Sequence, residues 1–153
     1  MLEGVFSDEH GDFPAGTYVR NPPTSRHTPG STPGCVIFVK LWQFDPGDRT
    51  HVRLDTTKIA ALPDPGRSGV AVTPLYRDAR EDVRIETWAP RRTGQFGSPG
   101  GAELFVLEGT FEESSESFTR WSWLRLPHNV FAHLRAGEHG FRAWVKTGHL
   151  RKL

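Results

Sequence analysis

Two stretches of this 153-residue chain repeat one pattern, and that duplication constrains the fold more than any single residue does. Leu107 stands 105 positions after Leu2, and at that spacing Leu2/Leu107, Glu3/Glu108, Gly4/Gly109, Phe6/Phe111, Phe13/Phe118, Arg20/Arg125 and Pro22/Pro127 are identical. One inserted residue moves the spacing to 106, where His27/His133, Gly34/Gly140, Val39/Val145 and Lys40/Lys146 match. A duplicated packing unit explains these identities without invoking function. Gly4 and Gly109 are expected to end strand-like runs, where a positive φ costs glycine little. Pro22 and Pro127 suit turns or edge positions.

The rest of the chain reads as short strands between turn signals, with 16 Gly and 12 Pro spread along it. Strands are expected at 17–20, 35–44, 50–55, 70–75, 83–88, 103–108, 122–126 and 141–147. Val83, Ile85 and Thr87 alternate with Arg84 and Glu86, the pattern of a half-buried strand. The run from Cys35 to Leu41 is apolar on both faces, so it is expected to be a central, covered strand. Residues 55–62 can form one short helical turn before Pro63 and Pro65 stop it. Loops are expected at 11–16, 22–33, 45–48, 63–68 and 90–101, and a solvated hairpin turn at 112–117. Many short strands with turns between them argue for a sandwich or barrel.

Composition narrows the function classes. A net charge of +1 leaves no electrostatic footprint for nucleic acid or a membrane surface. The single Cys35 excludes an internal disulfide framework and suits a reducing cytosol; within its apolar run it reads as a buried, inert thiol. Glu3, Asp8, Glu9 and Asp12 stand where a secretion leader would need basic and apolar residues. On these readings a cytoplasmic location is expected. Trp42, Trp88, Trp121, Trp123 and Trp144 are expected mainly in the core, and His10, His51 and His149 on the surface. No nucleophile triad, phosphate-cradling Gly loop or zinc spacing is present.

One stretch carries chemistry. Gly16, Pro22, Thr24 and His27 give the spacing Gly, five residues, Pro, one residue, a small residue, two residues, His. This resembles the second motif of cupins, with Thr24 where that motif has Gly and Ser31 where it often has Asn. The wording at 2–18, Arg20-Asn21-Pro22-Pro23, 34–41, 100–109 and 146–150 is similar to the ChrR-type cupin family. That family includes the sensor half of anti-sigma factors and relatives of acetylacetone-cleaving dioxygenases, and members often carry two cupin units in tandem.

The resemblance implies an all-β cupin jelly roll (double-stranded β-helix), with one complete barrel plus part of a second. Residues 1–55 would be the later half of a first unit, 56–68 a linker and 69–153 a second unit. In cupins the second-motif His binds a divalent metal with a His-x-His pair and a Glu from the first motif. In the first unit those partners would precede Leu2, and the counterpart of residues 70–106 is missing there. In the second unit Glu103 stands at the Glu position, the His-x-His positions fall on Phe96-Gly97-Ser98, and His133 matches His27 only through the inserted residue; without it Ala132 takes the place. The implied metal ligands are therefore His27, Glu103 and His133, a depleted set for zinc or iron. The expected function is a small-molecule-binding or regulatory module with a weak divalent metal site. The alternative is a metal-dependent dioxygenase of the acetylacetone-cleaving type, so whether the chain is an enzyme stays open. Its expected partners are a small-molecule ligand and a second copy in a homodimer covering the open sheet edges of the first unit.

Overall fold

The protein was described from a computed structural model, which defines residues 1–150. The chain is all-β apart from one short 3-10 turn and divides into two compact units, Met1–Ile59 and Ala60–Leu153. Among the described residues no helix is long and apolar enough to cross a membrane.

The first unit contains β1 (Glu3–Asp8), β2 (Gly11–Pro14), β3 (Thr17–Arg20), β4 (Cys35–Val36) and β5 (Val52–Asp55), followed by the 3-10 turn Thr56–Lys58. β1 lies between β2 and β4, and β3 pairs with β5, all antiparallel. Phe6 faces Phe13 across the β1–β2 hairpin with ring centroids 6.1 Å apart. The loop before β5 is pinned by Arg20, whose side chain is 2% exposed. Its guanidinium grips both carboxylate oxygens of Asp48, donates to the Thr50 carbonyl at 2.8 Å and lies 4.3 Å from the Phe44 ring centre. Hydrogen bonding from Arg20 holds the Asp48 carboxyl well below the usual carboxylate range.

The second unit contains β6 (Leu62–Pro63), β7 (Val70–Arg77), β8 (Asp82–Trp88), β9 (Thr93–Gly97), β10 (Ala102–Glu113), β11 (Glu116–Phe118), β12 (Trp123–Leu126) and β13 (Phe131–Thr147). Their antiparallel order is β11-β10-β13-β8-β7-β6, with β12 on β10 and β9 on β13, and the ladder does not close into a cylinder. The two long strands take part in both halves of the unit, because the β10–β13 register shifts between Val106 and Glu108 and again between Gly109 and Phe111. One core results. Ala102, Leu104, Val106, Ala143, Val145 and Trp88 supply it from one half; Phe96, Phe111, Phe118, Ala132 and Leu134 supply it from the other. Phe111 stacks on Phe118 at 4.6 Å and meets Phe141 at 5.1 Å.

The same backbone crossing occurs once in each unit. Gly4, at φ +69°, comes so close to Gly34 that a Cβ there would lie 2.1 Å from the Gly34 carbonyl oxygen. Gly109, at φ +73°, would place a Cβ 2.2 Å from the Gly140 carbonyl oxygen. Both glycines lie inside strands rather than at their ends, so the expectation that they terminate strands is corrected. Only glycine tolerates both the left-handed φ and the close approach.

Most expected strands form within a residue or two of their predicted bounds, and Pro22 and Pro127 each open a turn. Strands also form where loops were expected, at Gly11–Pro14 and Thr93–Gly97. The largest correction is the run from Cys35. Only Cys35–Val36 is strand, Cys35 is half-buried, and Val39, Leu41 and Trp42 are 52%, 74% and 101% exposed. The reason is pairing. In the second unit the matching segment 141–147 is flanked by β10 and by β8. In the first unit the described pairing of this run is to β1 alone, at Glu3 and Gly4. Trp121 and Trp123 are likewise exposed rather than core, whereas Trp88 is buried.

Candidate functional site

β8 presents charge to the core. Ala143 and Val145 of β13 belong to the core cluster, and their cross-strand partners on β8 are Glu86 and Arg84. Cross-strand partners share a face, so Asp82, Arg84, Glu86 and Trp88 form one row on the core side. Val83 and Ile85 are buried on the opposite face. The alternation in the sequence is real, but its charged phase is not the solvated one.

Glu86 has no exposed side-chain surface. Its Oε1 accepts from Arg67 Nη2 at 2.9 Å and Arg84 Nε at 2.8 Å, and its Oε2 accepts from Arg67 Nη1 and Trp88 Nε1, both at 2.9 Å. Arg67 also forks onto Asp64 Oδ2, and Arg84 Nη1 donates to Asp82 Oδ1 and Thr147 Oγ1. Burial alone would raise the Glu86 carboxyl, but the Arg67 hydrogen bonds and the charges of Arg84 and Arg67 overcome it and hold the group below the ordinary glutamate range.

Above this row lies a cavity of about 610 Å³. Leu62, Pro63, Pro65, Val72, Pro74 and Phe96 form its apolar wall, and Asp64, Arg67, Asp82 and Arg84 its charged side, with Gln95 and Gly97 also lining it. Its volume falls within the range of ligand pockets, and its lining combines apolar surface with a few fixed polar groups.

The residues expected to bind metal lie elsewhere. His27 is exposed in the first unit, its Nδ1 3.5 Å from Asn21 Nδ2 and its ring edge-on to Phe6 at 6.0 Å. In the second unit His133 is exposed and pairs with Gln95, while its neighbours Ala132 and Leu134 enter the core. Ala132, not His133, therefore occupies the inward position, opposite Phe96. Glu103 is buried but lies between core residues Ala102 and Leu104, on the other face of β10. There it pairs with His149 Nε2 at 3.0 Å and Arg125 Nε at 3.6 Å. His149 is thus half-buried and paired rather than a surface residue. Among the described residues no group of three or more His, Cys, Asp or Glu side chains is placed to hold a metal ion. The donors that the fold family would use do not fit such a centre in the second unit, because Phe96 and Ala132 stand at the inward positions that would carry them.

An all-β unit built this way is a cupin-type fold, and comparisons with known proteins agree. The family described as the ChrR cupin-like domain matches residues 1–45. No curated protein matches the chain. A Nostoc punctiforme protein named as a candidate dioxygenase shares the fold over 99% of this chain and 61% of its own, with a TM-score of 0.71 and 13% identity. The Rhodobacter sphaeroides complex of SigE with the anti-sigma ChrR contains a chain that matches at a TM-score of 0.52 and 14% identity, covering 59% of this chain and 50% of that one. The polyketide cyclase RemF of Streptomyces resistomycificus matches at a TM-score of 0.52 and 17% identity, over 61% of this chain and 76% of its own. This chain therefore spans only part of the length of these neighbours. At such identities the likeness is one of fold, and the resemblance to ChrR-type cupins stands on that fold and on residues 1–45.

The buried charge row sets an expected pH dependence. The lowered Glu86 carboxyl contributes stability above its unfolded value near 4.5, and that contribution is lost as the pH falls through the lower folded value. Urea titrations of the native protein and Glu86→Gln from pH 7 to pH 3 should show the variant less stable at pH 7 and the gap narrowing below about pH 4.5. A gap that stays constant with pH would contradict the assignment.

Proposed function

We propose that the second unit is a small-molecule-binding cupin module and that its ligand occupies the cavity between β6, β7, β8 and β9. The observation that carries this reading is the cavity's asymmetry: one apolar wall faces a row of fixed, mutually neutralising charges. Such a site suits an organic molecule with an apolar body and a polar head, the head meeting Asp82 and Arg84 and the body lying along Val72, Pro74 and Phe96. The polyketide cyclase among the fold neighbours is named for chemistry on an organic molecule, which agrees with this ligand class. The dioxygenase alternative would need donors where this unit has Phe96 and Ala132, so the ligand reading is favoured for the second unit.

The ligand reading is tested by thermal-shift screening of small carboxylates, amides and phenols. At least one compound should raise the melting temperature, and Leu62→Trp, which narrows the cavity at an exposed wall residue, should weaken its binding roughly tenfold or more. Stabilising compounds that bind Leu62→Trp as tightly as the native protein would place the site elsewhere.

We also propose, as the reading of the uncovered run from Val36 to Trp42, that a second copy of the chain packs on it in a homodimer. An apolar edge of this kind is an established route to strand pairing between chains. Antiparallel pairing about Phe38 would set Val36 against Lys40 and Ile37 against Val39, with no like charges opposed. Sedimentation at micromolar concentration should give a dimer, and Val39→Asp with Leu41→Glu should give a monomer of unchanged circular dichroism. A native protein that sediments as a monomer contradicts the dimer.

A further inference from the structure

We infer that the second unit is built to do without a divalent cation: the Arg67–Glu86–Arg84 cluster provides the polar anchor of its core face. This inference stands whether or not the cavity takes an organic ligand.

Three observations carry it. First, Phe96 and Ala132 stand buried at positions that would aim donors into the core, with Leu134 buried beside them, while His133 points to solvent and Glu103 to the other face of β10. Second, the fully buried carboxylate on the core face is saturated. Glu86 accepts four hydrogen bonds, two on each oxygen, at 2.8 to 2.9 Å, which leaves no lone-pair direction for a cation. Third, two of its three partners, Arg67 and Arg84, are guanidiniums, which stay charged at any pH the protein survives. A divalent ion approaching Glu86 would meet two fixed positive charges and would have to displace both, with the desolvation of each left uncompensated.

The cluster also spans the chain in a way a metal would. Arg67 comes from the turn between β6 and β7, where it is tied to Asp64; Glu86 and Trp88 come from β8; and Thr147, bonded by Arg84, ends β13. One ion-pair network thus fixes a turn and two strands about a single buried carboxylate, as three or four ligands fix strands about a cation.

The test uses the full chain carrying His27→Ala, so that binding at the first unit is not counted. The protein is dialysed, analysed for zinc, iron, manganese, nickel and copper, melted with and without EDTA, and titrated with cobalt(II) while the visible spectrum is followed. Substoichiometric metal, a melting temperature unmoved by EDTA and no cobalt d–d band are expected. In the same background Glu86→Gln is expected to melt well below its parent. If that variant does not fold, Arg84→Lys, which keeps the charge but loses the fork, gives the graded reading. Stoichiometric metal that survives dialysis, an EDTA-induced fall in melting temperature, or a cobalt band overturns the inference. So do Glu86→Gln and Arg84→Lys proteins that melt with the parent, since the cluster would then anchor nothing.

Discussion

Glu86 places a full negative charge on the core side of β8, where its side chain has no contact with water. Left alone, such a group would protonate or unfold its surroundings. Arg67, Arg84 and the Trp88 indole N–H satisfy both of its oxygens, and the arrangement of the second unit follows from that requirement. Arg67 can reach Glu86 only if the turn after β6 folds back over β7 and β8, and the turn is held there by Asp64. Arg84 reaches it along the same strand face, where Asp82 and Thr147 accept from its Nη1. The cavity is the space left beside this network, with the apolar wall of β6, β7 and β9 on its other side. Removing one partner from a buried pair of this kind typically costs about 3–5 kcal/mol, mostly because the other charge is stranded.

A second constraint is steric and appears in each unit. The crossing of Gly4 over Gly34 and of Gly109 over Gly140 brings two backbones together with no room for a side chain. In both, a phenylalanine pair follows on the adjoining hairpin, Phe6 with Phe13 and Phe111 with Phe118. Identical residues thus solve identical geometric problems, which is the physical content of the sequence duplication. The units diverge in what flanks the crossing. β8 covers 141–147 in the second unit, whereas the run after Cys35 in the first leaves apolar side chains in solvent.

Much of the fold was legible in the residues. The repeat, the turn prolines and the period-two runs located most strands, and the cupin wording gave the architecture. The charged core face of the second unit was not legible. Alternation along 82–88 shows that two faces exist but not which is wet, and by charge alone Arg84 and Glu86 read as the outer phase. The signal that could have corrected this is Trp88, two residues after Glu86 and so on the same face. Arg67 could not have been assigned, because it sits in a Pro- and Gly-rich turn and meets Glu86 only through tertiary folding. The choice between Ala132 and His133 rests on one inserted residue that the sequence leaves open; in the strand register Ala132 faces Phe96 and enters the core. The run from Cys35 misled because apolarity on both faces predicts cover only where strands exist to provide it.

The central claim is that Glu86 and its guanidinium partners act as one unit holding the core face of the second unit. A double-mutant cycle between Glu86→Gln and Arg67→Met, read by urea unfolding at pH 7, measures this directly. The account predicts a coupling free energy above about 1 kcal/mol, the range found for contacting members of one network. Two substitutions whose effects simply add, with a coupling within about 0.3–0.5 kcal/mol of zero, would contradict it.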